Sequence, residues 1–262
     1  SLPTGSFATG EIIGLQTYGA GDNYSWAVGV HNDSQTTKSS DDEAKSVVGR
    51  ITYAPIAEKD KALHFGLSQA YRVPGSTLDS VSFNAKAENS IQTLQSVNAI
   101  ITGVEGTYLT GLEAAGVYGS FSLQGEYFYN RINREIEDNV SLNGWYAQAS
   151  YFITGESRPY SAKSGIFERV KPSNPLSLKD GGWGAFEVAA RYSNIDLNNG
   201  DIQGGEVNDI TLGLNWYLNN NTRLMANYIM VNTDSVDPSG AGSNVDANDD
   251  PNILLLRAAI DF

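Results

Sequence analysis

Residues 155–183 hold Arg158, Lys163, Arg169, Lys171 and Lys179 against only Glu156, Glu168 and Asp180, in a chain whose formal net charge is −13. A local positive excess in an acidic chain attracts anions, and guanidinium forks match the paired oxygens of a tetrahedral oxyanion. Other cations recur at alternate positions along extended segments: Arg50, Arg72, Lys86, Arg191, Arg223 and Arg257, with Glu113, Glu126 and Glu187 in the same register. Their chemistry is guidance of a passing charge rather than bond making. Opposite charges that share one face also form salt-bridge lattices, so each wall cation has a structural reading beside the functional one. Arg50, Arg72, Lys86, Arg158, Lys163, Arg169, Lys171 and Arg191 are the candidate anion-path residues.

Other chemistry is poorly supplied. The two histidines, His31 and His64, fall on separate segments with no Ser or acid neighbour at the spacing of a catalytic set, so no enzyme is expected. The chain has no cysteine, which removes disulfides, thiol nucleophiles and thiolate metal sites. No cofactor or resident metal is expected. Residues 246–250 imitate the start of a calcium loop, but Pro251 stands where Gly is required and Arg257 where a bidentate Glu belongs. The acidic balance argues against nucleic acid as a partner. Acids cluster between the extended segments, at 41–43, 135–138 and 234–250; these are solvated loops, and on an outer surface they could share divalent cations with lipopolysaccharide phosphates.

The elements that must carry these residues are strands. Segments of period 2, bounded by Gly, Asn, Asp and Pro, fall at 24–32, 46–56, 62–73, 108–116, 120–133, 143–154, 184–197, 209–218, 222–233 and 252–262, with weaker ones at 11–18, 78–87 and 96–102. That makes about thirteen. In the strongest, one face is apolar and aromatic: Phe121, Leu123, Tyr127 and Tyr129 against Ser122, Gln124, Glu126 and Asn130, or Leu254, Leu256 and Ile260 against Arg257 and Asp261. The longest aliphatic run is four residues, too short for a membrane helix. A barrel needs no such run, because only alternate residues meet lipid, and the mean hydropathy of −0.29 is compatible with it.

Connections alternate in length. Turns near 56–61, 117–119 and 218–222 are tight, whereas 31–45, 131–142, 196–208 and 233–251 are long, acidic and rich in Asn or Gly, as expected of periplasmic turns and external loops. The connection 155–183 falls on the short-turn side although it is nearly thirty residues long. The fold class is therefore an all-β antiparallel transmembrane barrel, one domain over 1–262. Thirteen strands are an odd number for a bacterial barrel, so an amino-terminal portion is expected to precede Ser1, three further strands would give sixteen, and the first and last strands here are not expected to pair.

Several long stretches are similar to the phosphate-selective porins O and P: residues 49–55 (GRITYAP), 111–127 (GLEAAGVYGSFSLQGEY), 154–160 (TGESRPY), 167–172 (FERVKP), 183–193 (WGAFEVAARYS), 200–205 (GDIQGG) and 212–217 (LGLNWY). The resemblance covers the chain from about Pro3 onward. It implies the carboxy-terminal part of a sixteen-stranded homotrimeric porin in the bacterial outer membrane, with loops folded into the lumen and basic residues lining a path for small anions such as phosphate. It also implies contact with outer-membrane lipid and lipopolysaccharide. Family members tend to have Pro-Gly-Arg before the first strand here, where this chain has Thr9-Gly-Glu11; an acid in place of a base counts against strong anion selectivity. A weakly selective pore and a plugged structural barrel remain alternatives.

Overall fold

The computed structural model describes residues 1–7, 13–33, 44–75, 80–86, 88, 96–234 and 250–261. The acidic stretch 41–43, most of 234–250, the segment Thr9-Gly-Glu11 and the terminal Phe262 lie outside the described residues. A short helix α1 (Leu2–Phe7) precedes β1 (Ile13–Ala20), β2 (Tyr24–Asp33), β3 (Ala44–Ala57), β4 (Lys61–Val73), β5 (Ser80–Ala85), β6 (Val97–Thr102), β7 (Val104–Tyr118), β8 (Phe121–Arg134) and β9 (Val140–Phe152). Two short strands, β10 (Tyr160–Ser161) and β11 (Ile166–Phe167), then precede β12 (Ala185–Asn199), β13 (Ile202–Tyr217), β14 (Thr222–Asp234) and β15 (Asn252–Ile260). All thirteen expected strands are present.

Eleven of them form one antiparallel sheet in the order β1-β2-β3-β4-β7-β8-β9-β12-β13-β14-β15. Among the described strands β1 pairs with β2 alone and β15 with β14 alone, so the two edges do not meet. The side chains confirm which face is outward. Leu254, Leu256 and Ile260 are 68%, 76% and 60% exposed, and Phe121, Leu123, Ile210, Leu212 and Leu214 share that face, whereas Ser122 and Ser150 are buried on the other and hydrogen-bond at 2.8 Å. A soluble barrel buries its apolar face inward; this one presents it outward, as a wall in lipid does. No helix among the described residues is long and apolar enough to cross a membrane, which does not bear on strands.

The structure revises the sequence reading in two places. The connection expected at 196–208 is a two-residue turn, Gly200-Asp201, because β12 and β13 continue past the apolar band. Their inward residues there, Ile195, Leu197 and Val207, are fully buried, while outward Asn194 donates to Glu206 at 2.7 Å and Tyr192 to Asn208 at 2.7 Å. Gly200, at φ +58°, takes the left-handed conformation the tight turn needs. Beside it Arg134 grips Asp201 through two hydrogen bonds of 2.6 and 2.7 Å.

Secondly, β5 and β6 pair only with each other and stand inside the wall. Phe83, Ala85, Val97, Ala99 and Ile101 pack with Leu2 and Phe7 of α1 against inward Phe128, Ile132, Leu142, Ile195, Leu197 and Ile229. The long-loop end of the lumen therefore has an apolar core. It forms because those wall residues are apolar in the inward register, and burying them under a hairpin removes them from the water that would otherwise fill the barrel.

Candidate functional site in the barrel lumen

The other end of the lumen is polar and is crossed by residues 155–183, the long connection on the short-turn side. Its β10–β11 hairpin reaches the far wall. Gly165, at φ +64°, abuts β2 and β3 so closely that a Cβ there would lie 2.6 Å from the Thr52 hydroxyl. Arg50 on β3 donates to the Gly165 carbonyl at 2.9 Å, and Tyr160 shares a 2.6 Å hydrogen bond with His64 Nδ1 on β4. Arg158 donates to the Gln124 side chain on β8 and lies 3.8 Å above the Phe167 ring, a cation–π geometry. Farther along, Arg169 pairs with Asp261 at 3.2 Å and donates to the Asn220 carbonyl at 3.3 Å. The insert is thus a bar anchored on both sides of the lumen.

Its root is fixed by Glu156, a buried carboxylate that accepts from the Thr154 hydroxyl and from the Ser173 backbone N–H at 3.0 Å. Burial raises the Glu156 pKa, but these donors outweigh it and hold the group below the usual carboxylate range. Burial pulls Arg158 below the ordinary guanidinium value, against the field of Glu187, and leaves it charged at any physiological pH. Tyr160 is raised, chiefly by burial.

Cavities border the bar on several sides among the described residues. The first, about 520 Å³, lies toward β12–β14, where Arg158, Arg169, Arg191 and Arg223 face Glu88, Glu168, Glu187 and Asp261. A second, about 260 Å³, lies between the bar and β3–β8 and is lined by Arg50, His64, Glu113, Gln124, Glu126, Arg158 and Tyr160. The third, about 440 Å³, lies toward β1–β3 and contains Gln16, Ser25, His31, Arg50, Lys163 and Ser164; no acid lines it among the described residues. Arg158 and Phe167 border the first two, and Arg50 the last two.

The candidate cations therefore separate by partner. Arg50 is engaged by Glu113 through hydrogen bonds of 2.7 and 2.9 Å, and His64 Nε2 lies 3.4 Å from the same carboxylate. Arg191 donates to Gln148 at 2.6 and 2.9 Å and to Glu88 at 3.4 Å. Arg158 bonds an amide rather than a carboxylate, and Lys163 is exposed at the hairpin tip. Lys171 is exposed beside Val170, which is buried with Phe152, Ala185 and Tyr217. Arg72 lies on the inward face of β4 between Ser46 and Thr107, away from the bar, and Lys86 follows β5 at the tip of the apolar hairpin.

Sequence reasoning missed Glu88 and His64. Glu88 sits just past β5 at φ +34°, and its carboxylate accepts from Ser193 at 2.5 Å and Thr211 at 2.8 Å, pinning the hairpin tip to β12 and β13. A polar residue forced into a conformation unusual for a side-chain-bearing residue is not visible in sequence. His64 was legible as an inward residue of β4, but its partners come from β7 and the insert.

The profile of a protein family described as phosphate-selective porin O and P matches residues 2–262. Porin O of Pseudomonas aeruginosa is 30% identical over 249 residues, covering 82% of this chain and 53% of that protein. An uncharacterized protein of Caulobacter vibrioides is 28% identical over 215 residues, covering 82% of this chain and 42% of its own length. The chain spans about half the length of the curated relatives it matches.

Proposed function

Because the chain belongs to the phosphate-selective porin O and P family, a family of outer-membrane proteins, we propose that it builds, as a single barrel domain, much of the wall and constriction of a water-filled channel. Through that channel small anions such as phosphate diffuse passively. The observation that carries the reading is the bar of residues 155–183 across the lumen, with Arg158 between two cavities and hydrogen-bonded, among the described residues, to the Gln124 amide rather than to a carboxylate. A cation about 4 Å from a passing anion is worth on the order of 1–4 kcal/mol, depending on the local dielectric. Arg158, Lys163, Arg169 and Lys171 supply this field from the bar, and Arg191 from the wall. Arg50 serves chiefly to hold the bar, since its charge is met by Glu113; Arg72 acts nearer the outer end and Lys86 at the tip of the lumen hairpin.

The protein carries no catalytic step in this reading. His64 is a brace between Glu113 and Tyr160. The assembled protein is a homotrimer, with the outward apolar face in lipid and the long-loop end toward lipopolysaccharide. A weakly selective pore is the second reading, favoured by the balance of four arginines against four carboxylates around the cavity toward β12–β14. Reversal potential across a planar bilayer holding the full-length protein in a potassium chloride gradient distinguishes them. The anion reading predicts chloride preference and a current that falls when phosphate is added; a potential near zero favours the second, and absence of conductance defeats both.

A further inference from the structure

The apolar outer face does not stop where the strands do. At the short-turn end of β12 and β13, Phe186 and Trp216 stack on that face with centroids 5.4 Å apart and planes 9° apart. The Trp216 indole N–H donates at 2.7 Å to the carbonyl of Trp183, the last residue of the long insert. Trp183 is 70% exposed, Ile153, whose N–H donates to the Phe186 carbonyl, 61%, and Leu178 wholly so.

These residues are held in place. Leu176 N–H donates to the Leu218 carbonyl at 2.7 Å and Gly184 N–H to Asn174 at 2.9 Å, closing the base of a loop against the end of β13. Within it Ser177 N–H donates to Gly182 at 3.0 Å, and the Ser177 hydroxyl is bonded to Asp180 side chain and backbone. The internal hydrogen bonding fixes a turn with Leu178 and Lys179 at its exposed tip. A leucine fixed in full exposure, on a turn that leads directly into an exposed tryptophan bonded to a lipid-facing aromatic stack, calls for an apolar cover.

We propose that residues 174–183 are an interfacial anchor: Leu178 and Trp183 enter the boundary between acyl chains and headgroups of the phospholipid leaflet at the short-turn end, and Lys179 meets a lipid phosphate. Tryptophan favours that boundary because its ring is apolar and its N–H polar. Lysine keeps its ammonium at headgroup level while its stem lies along the apolar surface. The insert then has two jobs, a bar in the lumen at 158–169 and a foot on the membrane at 174–183. The inference rests on the membrane barrel and not on anion conduction.

The chain has no cysteine, so Leu178→Cys in the full-length protein gives a labelling position whose exposure means that it cannot disturb packing. With a nitroxide attached and the protein in phosphatidylethanolamine and phosphatidylglycerol vesicles, collision with oxygen should exceed collision with a water-soluble nickel chelate by several-fold relative to Lys59→Cys in the β3–β4 turn. Adding Lys179→Gln should lower that ratio, and should lower it less in vesicles without phosphatidylglycerol. Equal access of the chelate at both positions would overturn the proposal in favour of a water-exposed loop. Shielding from both agents would overturn it in favour of a protein partner, including a second copy of this chain.

Discussion

Two intrusions enter this barrel from opposite ends, and they are held by different forces. The β5–β6 hairpin with α1 is seated by burial: Phe83, Val97, Ala99 and Ile101 are nearly inaccessible against inward Ile132, Leu142, Ile195 and Leu197. The β10–β11 bar is seated by polar contacts: Arg50 to Gly165, Tyr160 to His64, Arg158 to Gln124 and Arg169 to Asp261. Both reach β8. Along β8 the inward residues change from Ser122, Gln124 and Glu126 at one end to Phe128 and Ile132 at the other. Where the inward wall is apolar the intruder packs into a dry core with it. Where it is polar, the bar leaves Lys163 and Lys171 exposed and borders cavities lined by charged side chains.

Perturbing the apolar seat should have the largest effect on stability. Phe83→Ala removes a buried ring in contact with Phe7 (centroids 5.7 Å) and should cost about 3–5 kcal/mol of local stability. The measurement is protease cleavage within residues 80–102 at temperatures where the wall stays folded. If cleavage is unchanged, burial is not what seats the hairpin. Perturbing the polar seat should cost less. Glu113→Gln removes a charged acceptor from both Arg50 and His64, worth roughly 1–3 kcal/mol, and should appear as flickering single-channel current at unchanged thermal stability of the barrel. Quiet current would mean that the bar does not depend on this clasp.

Gly165→Ala tests the close approach itself. A methyl at φ +64° facing Thr52 costs about 1–2 kcal/mol from the left-handed conformation, before any clash, and should add the same flicker as Glu113→Gln. Combined with Thr52→Ala, which removes both the hydroxyl and the methyl that the new Cβ would meet, most of the flicker should remain if backbone strain dominates. The smallest effect is that of pH. Glu156 is lowered from the ordinary carboxylate value of 4.5, so its contribution is complete above that value and is lost as pH falls through the lower folded value. Amide exchange at Ser173, whose N–H it accepts, should accelerate only on acidification below about pH 4.5, and Glu156→Gln should remove that dependence. Acceleration already at pH 6 would contradict the assignment.

How much of this was legible follows from which interactions are local. The outward stripe was readable because a period-2 pattern such as Leu254, Leu256 and Ile260 depends on one strand alone. The hairpin β5–β6 alternates like a wall strand, and its own residues do not say that it stands inside. The telling signal lay elsewhere: Ile132, Leu142, Ile195 and Leu197 are apolar in the inward register, which a water-filled lumen does not explain. The same residues argue against reading 196–208 as loop, where Asp, Asn and Gly outweighed the alternation of Ile195, Leu197 and Val207. The anomalous length of 155–183 marked the bar correctly. What could not be read was pairing across the barrel: Arg50 with Glu113, Glu88 with Ser193 and Thr211, or Arg134 with Asp201, each set by the register of several strands.

In the proposed reading, the cations of the bar set the sign of the channel's field. Full-length protein in which Arg158, Lys163, Arg169 and Lys171 are all replaced by Gln should form channels of similar conductance whose reversal potential in a salt gradient moves toward cation preference, and the shift should shrink at high salt as screening rises. An unchanged reversal potential in that variant would contradict the account and leave the field to Arg50 and Arg72 on the wall and Lys86 at the tip of the lumen hairpin.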